Sequence, residues 1–313
     1  MPENCVSAKI IVVGSLNTDL VACASRIPVA GETITGHTFL SACGGKGANQ
    51  AYAAARLGAR VEMIGRVGGD DFGKQMRANL ENAGCDTAGV ETVSDISSGI
   101  ALIFVGDNGQ NSIVVVPGAN ERLTPADIET SKSRFTGASS LLLQLETPLA
   151  TVQAAAAAAR AAGVRVILDP APAPSTALPD EFVRLVDVLT PNESEAAILA
   201  GMPPGRMNVA QAFEVAKKLQ QLGPRTVIVK LGDKGCALRD GNDEHALAAP
   251  VVKAVDTTAA GDVFNAALAV ALGEGADMVA ACRAANRAAA LSVTRRGAQP
   301  AAPSRAELDA FAP

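Results

Sequence analysis

Tryptophan is missing from this 313-residue chain, tyrosine occurs once and phenylalanine eight times. A site that grips a nucleoside by stacking its base on aromatic rings has little to build with, though aliphatic side chains could substitute. Histidine occurs only twice, at His37 and His245, and the six cysteines (Cys5, Cys23, Cys43, Cys85, Cys236 and Cys282) include no CxxC pair. A structural zinc site needs clustered ligands, so none is expected. Scattered cysteines in a chain of this length read as reduced thiols of a cytosolic compartment. No uncharged apolar run approaches the roughly 20 residues that a membrane-spanning helix needs. The start, Met1-Pro2-Glu3-Asn4, lacks the basic and apolar stretches of a secretory signal, and a cytoplasmic location is expected.

Positive charge is not in excess either. The formal net charge is −5, which argues against a dedicated nucleic-acid binder, whose affinity would come from Lys and Arg neutralising phosphates. A small anionic ligand stays possible, because backbone amides and a few cations suffice for it. Four catalytic signatures are absent: G-x-x-x-x-G-K-[ST], G-x-G-x-x-G after a strand, H-E-x-x-H and G-x-S-x-G. P-loop enzymes, dinucleotide oxidoreductases, zincins and ordinary serine hydrolases therefore lose weight. With 48% hydrophobic residues the chain is too apolar to remain disordered. Its length fits a single domain over 1–313, one α/β core carrying an insertion.

What is present is a repeated strand, glycine turn and helix. Lys9–Val13 is a β-branched run ending at Gly14, and 47–57 carries small residues at helical spacing before Gly58. Strands are expected over 60–65, 140–145, 165–169, 186–189 and 226–231, and helices over 72–83, 148–162, 192–200, 208–222, 261–272, 277–293 and 304–311. Such alternation predicts a three-layer α/β sandwich with a mostly parallel central sheet. Two stretches break the rhythm. Residues 16–40 contain short alternating segments such as Glu32-Thr33-Ile34-Thr35, and Asp107-Asn108-Gly109-Gln110 sits between two β-rich runs as a hairpin turn. Both are antiparallel in character. They predict a small β lid formed by about 16–40 and 97–118.

Three segments carry candidate chemistry. Gly44-Gly45-Lys46-Gly47-Ala48-Asn49-Gln50 precedes a helix; its glycines permit close backbone approach, and Lys46 and Asn49 suit a polyhydroxylated or anionic ligand. A plain helix-start turn would look the same. Asp256-Thr257-Thr258-Ala259-Ala260-Gly261-Asp262 opens a later helix, where small residues and free amides form an anion cradle and Asp262 is placed as a base beside it. A carboxylate there is also an ordinary helix-stabilising residue. Gly14-Ser15-Leu16-Asn17-Thr18-Asp19 lies at the carboxyl end of the first strand, where open α/β sheets bind ligands. Asn17 and Asp19 would share one face and suit vicinal hydroxyls, or simply serve a turn.

In this order, with Gly68–Gly73, Pro117–Asn120, Gln144–Glu146, Asp169–Ala173, Thr190–Glu195 and Thr294–Pro300, these segments resemble the ribokinase-like family of carbohydrate kinases over nearly the whole chain. The resemblance implies ATP-dependent phosphorylation of D-ribose at its 5-hydroxyl, with deoxyribose, another sugar, a nucleoside or an inactive sugar sensor as alternatives. It implies sugar binding by Asn17, Asp19, Gly44, Gly45, Lys46, Asn49 and Glu146. Asp262 matches the catalytic base and Ala259, Ala260 and Gly261 the anion hole. Asn192, Lys230, Gly232, Gly235, Gly261 and Asn286 match nucleotide positions, and Glu195 a position near Mg²⁺. Asp256, Thr258, Ser292, Arg295 and Gly297 match the ligands of an activating monovalent cation, K⁺, mostly through main-chain carbonyls. A homodimer through the lid is implied as well. Three positions depart from the family pattern: Ala259 stands where glycine is frequent, Lys230 where threonine or serine is, and Asp169 where asparagine is commoner.

Overall fold

The computed structural model describes residues 7–312; Cys5 and the first four residues lie outside them. In chain order the elements are β1 (Lys9–Val13), β2 (Asn17–Ala24), β3 (Thr38–Gly44), α1 (Lys46–Arg56), β4 (Arg60–Gly68), α2 (Asp71–Asn82), β5 (Asp86–Val93), β6 (Gly99–Gly106) and β7 (Asn111–Val116). Then follow α3 (Pro125–Thr130), β8 (Ser140–Leu143), α4 (Leu149–Ala161), β9 (Arg165–Leu168), α5 (Asp180–Val183), β10 (Val188–Leu189), α6 (Glu193–Leu199), α7 (Val209–Gln220) and β11 (Thr226–Lys230). The chain continues through β12 (Cys236–Asp240), β13 (Asp243–Leu247), α8 (Ala260–Gly273), α9 (Met278–Ser292) and α10 (Arg305–Ala310).

The larger sheet runs β13-β12-β11-β10-β9-β8-β1-β4-β5, parallel throughout except where β12 pairs antiparallel with β11 and β13. In β1 the residues alternate between two cores. Ile10 and Val12 face a cluster built on α1, α2, α8, α9 and α10, while Ile11 and Val13 face another built on α3, α4, α6 and α7. All four side chains are fully buried, each stabilising the fold by about 1.5–3 kcal/mol relative to exposure. This is why the strand reads as an unbroken apolar run.

The second sheet is the expected lid, in the order β3-β2-β6-β7. Its outer pairs, β2–β3 and β6–β7, are antiparallel, and β2–β6 in the middle is parallel. One expectation fails. Glu32–Thr35 forms no strand; the first lid strands are β2 and β3, so the lid extends to Gly44. Glu32 is spent otherwise: its carboxylate pairs with Arg26 and accepts the Val29 N–H at 3.1 Å, closing residues 26–32 into a loop. Strands β5, β12 and β13 were not anticipated. Asp86–Val93 and Asp243–Leu247 carry charge within their runs and so lack an apolar signal.

Candidate active site

Chain turns at the carboxyl ends of β1, β8 and β11 meet the lid and the start of α8 around a cavity of about 630 Å³. After β1 the chain turns through Ser15, whose carbonyl accepts the Ala48 N–H of α1 at 2.9 Å. Gly45 begins α1 with φ 88°, and a Cβ there would lie 2.6 Å from the Asn17 nitrogen; glycine is required on both counts. Glu146 ties this turn together, its Oε2 accepting from Ser15 Oγ at 2.5 Å and from the Lys46 N–H at 3.1 Å. Asn120 fixes the other side. Its Oδ1 accepts the Leu16 N–H at 2.9 Å, and its Nδ2 donates to Asn17 Oδ1 at 2.8 Å. The Asn17 amide donor is thereby left for the cavity.

Asp19, on the same face of β2, is mostly buried and receives no hydrogen bond from any described residue. Gly44, the cross-strand partner of Asn17, makes room for it, since a Cβ at Gly44 would fall on the carboxylate. Burial, then the charges of Glu146 and Asp262, push Asp19 up to about 6. A carboxylate held this way and left without a donor suits a ligand that supplies hydroxyl protons.

Across the cavity stands Asp262, 5% exposed, in the first turn of α8. Asn49 Nδ2 donates to its Oδ2 at 3.0 Å and Gln50 Nε2 to its Oδ1 at 3.1 Å. Both amides are themselves held, Asn49 by Gln299 at 3.2 Å and Gln50 by Gln144 at 2.6 Å. Burial raises Asp262 to about 6, with Asp169 adding to the rise while Lys46, Asn49 and Gln50 oppose it. Ala259 begins α8 in the left-handed region, at φ 58°. The first helical back-bond runs from Val263 N–H to Ala259 O at 3.0 Å, and the Ala260 N–H makes a long bond of 3.3 Å to Thr257 O. The amides of Gly261 and Asp262 have no backbone acceptor among the described residues. They face a site where the helix dipole favours negative charge. Lys46 lines the same cavity; burial alone would lower its pKa, but Asp262, Asp169, Glu146 and Glu195 outweigh it and hold the ammonium charged.

A second cavity, about 390 Å³, opens beside the first and shares Lys230, Gly232, Thr257, Ala260 and Gly261 with it. Gly235, Asn286, Phe264 and the small apolar residues Ala249, Val252 and Ala289 also line it. Asn286 is set by its donation to Leu247 O at 2.9 Å. On the wall of the first cavity, Asn192 and Glu195 form a reciprocal capping box on α6: Asn192 N–H donates to Glu195 Oε2 at 2.8 Å and Glu195 N–H to Asn192 Oδ1 at 2.9 Å. The other Glu195 oxygen accepts no hydrogen bond among the described residues, and burial first, then Asp169, raises this carboxyl against the pull of Lys230. A carboxylate oxygen on the cavity wall fits a hard divalent cation.

Asp256 links two loops. Its Oδ1 accepts the Thr258 N–H at 2.9 Å and the Thr258 hydroxyl at 2.6 Å, while Oδ2 accepts the Gly297 N–H at 2.8 Å. Burial alone would raise this carboxyl, but these bonds and Arg296 hold it below its usual range. The anionic brace fits a cation coordinated by the neighbouring carbonyls. The side chains of Ser292 and Arg295 point to other tasks, Ser292 Oγ donating to Ala289 O at 2.8 Å and Arg295 pairing with Glu307 at 2.8 Å.

The expected sugar and base residues thus share one cavity, apart from Gly44, which shapes it from behind; the expected nucleotide residues line its neighbour or both cavities, except Asn192, which lines the first alone. Asp256, Thr258 and Gly297 come together just ahead of the start of α8. Reading the sequence missed the positioning set of Ser15, Gln50, Asn120 and Gln144. All four lie inside the quoted motifs, and their amide and hydroxyl chemistry was the available signal.

The profile of the pfkB family carbohydrate kinases matches residues 7–305. The chain is 42% identical over 300 residues to the ribokinase of Haemophilus influenzae, covering 96% of this chain and 97% of that one. It is 38% identical over 302 residues to the deoxyribokinase of Salmonella typhimurium, covering 96% and 98%. The solved structure of Arabidopsis thaliana ribokinase complexed with ribose and ATP superposes with a TM-score of 0.91 at 36% identity, covering 98% of this chain and all of that one.

Proposed function

The chain belongs to the pfkB family of carbohydrate kinases, and on that premise we propose that it transfers the γ-phosphoryl group of ATP to the 5-hydroxyl of D-ribose. The observation that carries this reading is Asp262. It is a buried carboxylate at a helix N-terminus, oriented by two amides at 3.0 and 3.1 Å, beside the junction of a polar and an apolar cavity. Asn17, Asp19 and Glu146 fix the sugar in the polar cavity so that its hydroxyl meets Asp262. That carboxylate takes the hydroxyl proton as the oxygen attacks phosphorus, and the amides of Gly261 and Asp262 receive the charge spreading over the phosphoryl oxygens. Phosphoryl transfer relies more on placement than on base strength, so a carboxyl held near 6 is adequate at neutral pH.

Glu195 would hold Mg²⁺ through water and the phosphates, and the loops of Asp256, Thr258, Ser292, Arg295 and Gly297 would hold K⁺. Bound there, the divalent ion would screen the triphosphate charge, and the monovalent ion would stiffen the loop that leads into α8. The lid's outward face leaves Phe39 and Val114 exposed at 67% and 56%, with Leu102, Phe104 and Val116 beside them. A thin sheet with so much uncovered apolar surface needs a cover, and we propose a homodimer joined there.

The decisive experiment ranks ribose, 2-deoxyribose, other pentoses and hexoses, and nucleosides by kcat/KM in a coupled ADP-release assay. Ribose should lead. A lead for deoxyribose reassigns the acceptor, and calorimetric ribose binding without ADP release from any sugar replaces the kinase by a sugar-binding protein.

A further inference from the structure

Two of the positions that depart from the family pattern prove to be partners. Lys230, the last residue of β11, places its Nζ 3.0 Å from Asp169 Oδ1, with side chains 13% and 4% exposed. Asp169 Oδ2 accepts from Gln50 Nε2 at 3.2 Å, and the same Nε2 donates to Asp262 Oδ1 at 3.1 Å. A continuous run of Lys230, Asp169, Gln50 and Asp262 therefore joins the wall between the two cavities to the base.

The ammonium has one hydrogen-bond partner among the described residues and three N–H groups to use. It stands over the first turn of α8, because a methyl group on Gly261 would lie 3.3 Å from Lys230 Nζ. Lys230 also lines both cavities. A chain of phosphates running from the apolar cavity to the acceptor hydroxyl must pass this neck. Lys46 faces the neck from the sugar side, so the two cations bracket the place where the transferring group sits. Lys230 is held in place: Asp169 is buried, and its charge anchors the lysine by an attraction that the low local dielectric strengthens.

We propose that Lys230 grips the β- and γ-phosphate oxygens of the nucleotide with its two remaining N–H donors, and that Asp169 is a positioning residue that aims it from behind. This rests on the kinase reading given above and specifies how its donor side recognises a triphosphate. The pair thus does with a fixed charge what a neutral hydroxyl and amide at these two positions would do with dipoles. Its consequence is selective: the grip counts for ligands that carry β- and γ-phosphates and is worth nothing for one that ends at the α-phosphate.

The test compares Lys230→Met, Asp169→Asn and the neutral pair Lys230→Gln with Asp169→Asn, by calorimetry with a non-hydrolysable ATP analogue, AMP and ribose. Lys230→Met should weaken the triphosphate analogue about tenfold or more and leave AMP and ribose within twofold. Asp169→Asn should weaken the same ligand by a smaller factor. The neutral pair should restore the thermal midpoint, since no buried charge is left unpaired, yet stay weak for the analogue. Equal losses for AMP and the analogue would overturn the proposal, and so would full recovery of analogue binding in the neutral pair. The kinase reading is judged separately, by ribose-dependent ADP release from the unaltered protein, so one can fail without the other.

Discussion

Replacing Asp19 by asparagine should make the protein more stable and less useful, and the two effects can be separated by pH. Asp19 is pushed from 3.8 to about 6, chiefly by burial and then by Glu146 and Asp262. Between those values the native state holds a proton that the unfolded chain has released. The contribution of this group to stability is therefore complete below about pH 4 and lost as the pH rises through 6. At about 1.4 kcal/mol per pH unit, the ionised carboxylate costs the native state at most about 3 kcal/mol at neutral pH. The amide of an asparagine at this position would keep the shape without that cost. Urea unfolding followed by circular dichroism should show Asp19→Asn gaining up to about 3 kcal/mol at pH 8 and nothing at pH 4. The same substitution removes the acceptor of ribose hydroxyls, and a hydrogen bond to a charged group is worth about 1.5–3 kcal/mol, so the ribose Kd should rise roughly 10- to 100-fold. A variant less stable at pH 8, or equally stabilised at both pH values, would refute the argument. Unchanged ribose affinity would refute the placement of the sugar.

Asp262→Asn should keep its circular dichroism and its ribose affinity while kcat falls by about 10² or more, and wild-type kcat/KM should fall as the pH drops below about 6, where Asp262 takes a proton; retained turnover would move the base elsewhere. Ala259 sits at φ 58°, a conformation that costs a residue with a Cβ about 1 kcal/mol, so Ala259→Gly should raise the urea midpoint and Ala259→Val lower it; the reverse order would deny the strain. Rates should rise several-fold when K⁺ replaces a large organic cation at constant ionic strength, and equal rates at saturating substrates would exclude the activating site. Sedimentation should find a dimer at micromolar concentration and Phe104→Glu a monomer; a fully active wild-type monomer would remove the lid interface.

The architecture was legible because each layer leaves a local trace. Unbroken apolar runs such as Lys9–Val13 report strands covered on both faces, and Asn108-Gly109 reports the β6–β7 turn through a glycine at φ 78°. The misreading of Glu32–Thr35 has the same origin. Alternation over four residues is too short to outweigh an Arg26–Glu32 ion pair that sequence spacing does not reveal. Strand β13 carries polar residues because it lies at the sheet edge, with Asp243–Ala246 exposed to water.

The site was legible in its charged groups and silent in what aims them. Asn120 reaches Asn17 across 103 positions, Gln50 reaches Asp262 across 212, and Gln299 reaches Asn49 across 250. No spacing rule reports bonds of that range, and the aiming groups are amides, which look like ordinary polar residues in a sequence. Their neutrality has a physical reason. Asp19, Glu146, Asp169, Glu195 and Asp262 surround one cavity in which only Lys46 and Lys230 answer them. Orienting these carboxylates with further cations would cancel the basicity that burial gives Asp19 and Asp262. Orienting them with amides leaves the surplus of negative charge in place. A polyol relieves that surplus by donating hydroxyl hydrogens without bringing charge of its own, which suits it to the acceptor half. A triphosphate adds to the surplus, so its half of the site must concentrate what positive potential the fold can supply, in Lys230 and the open amides of α8.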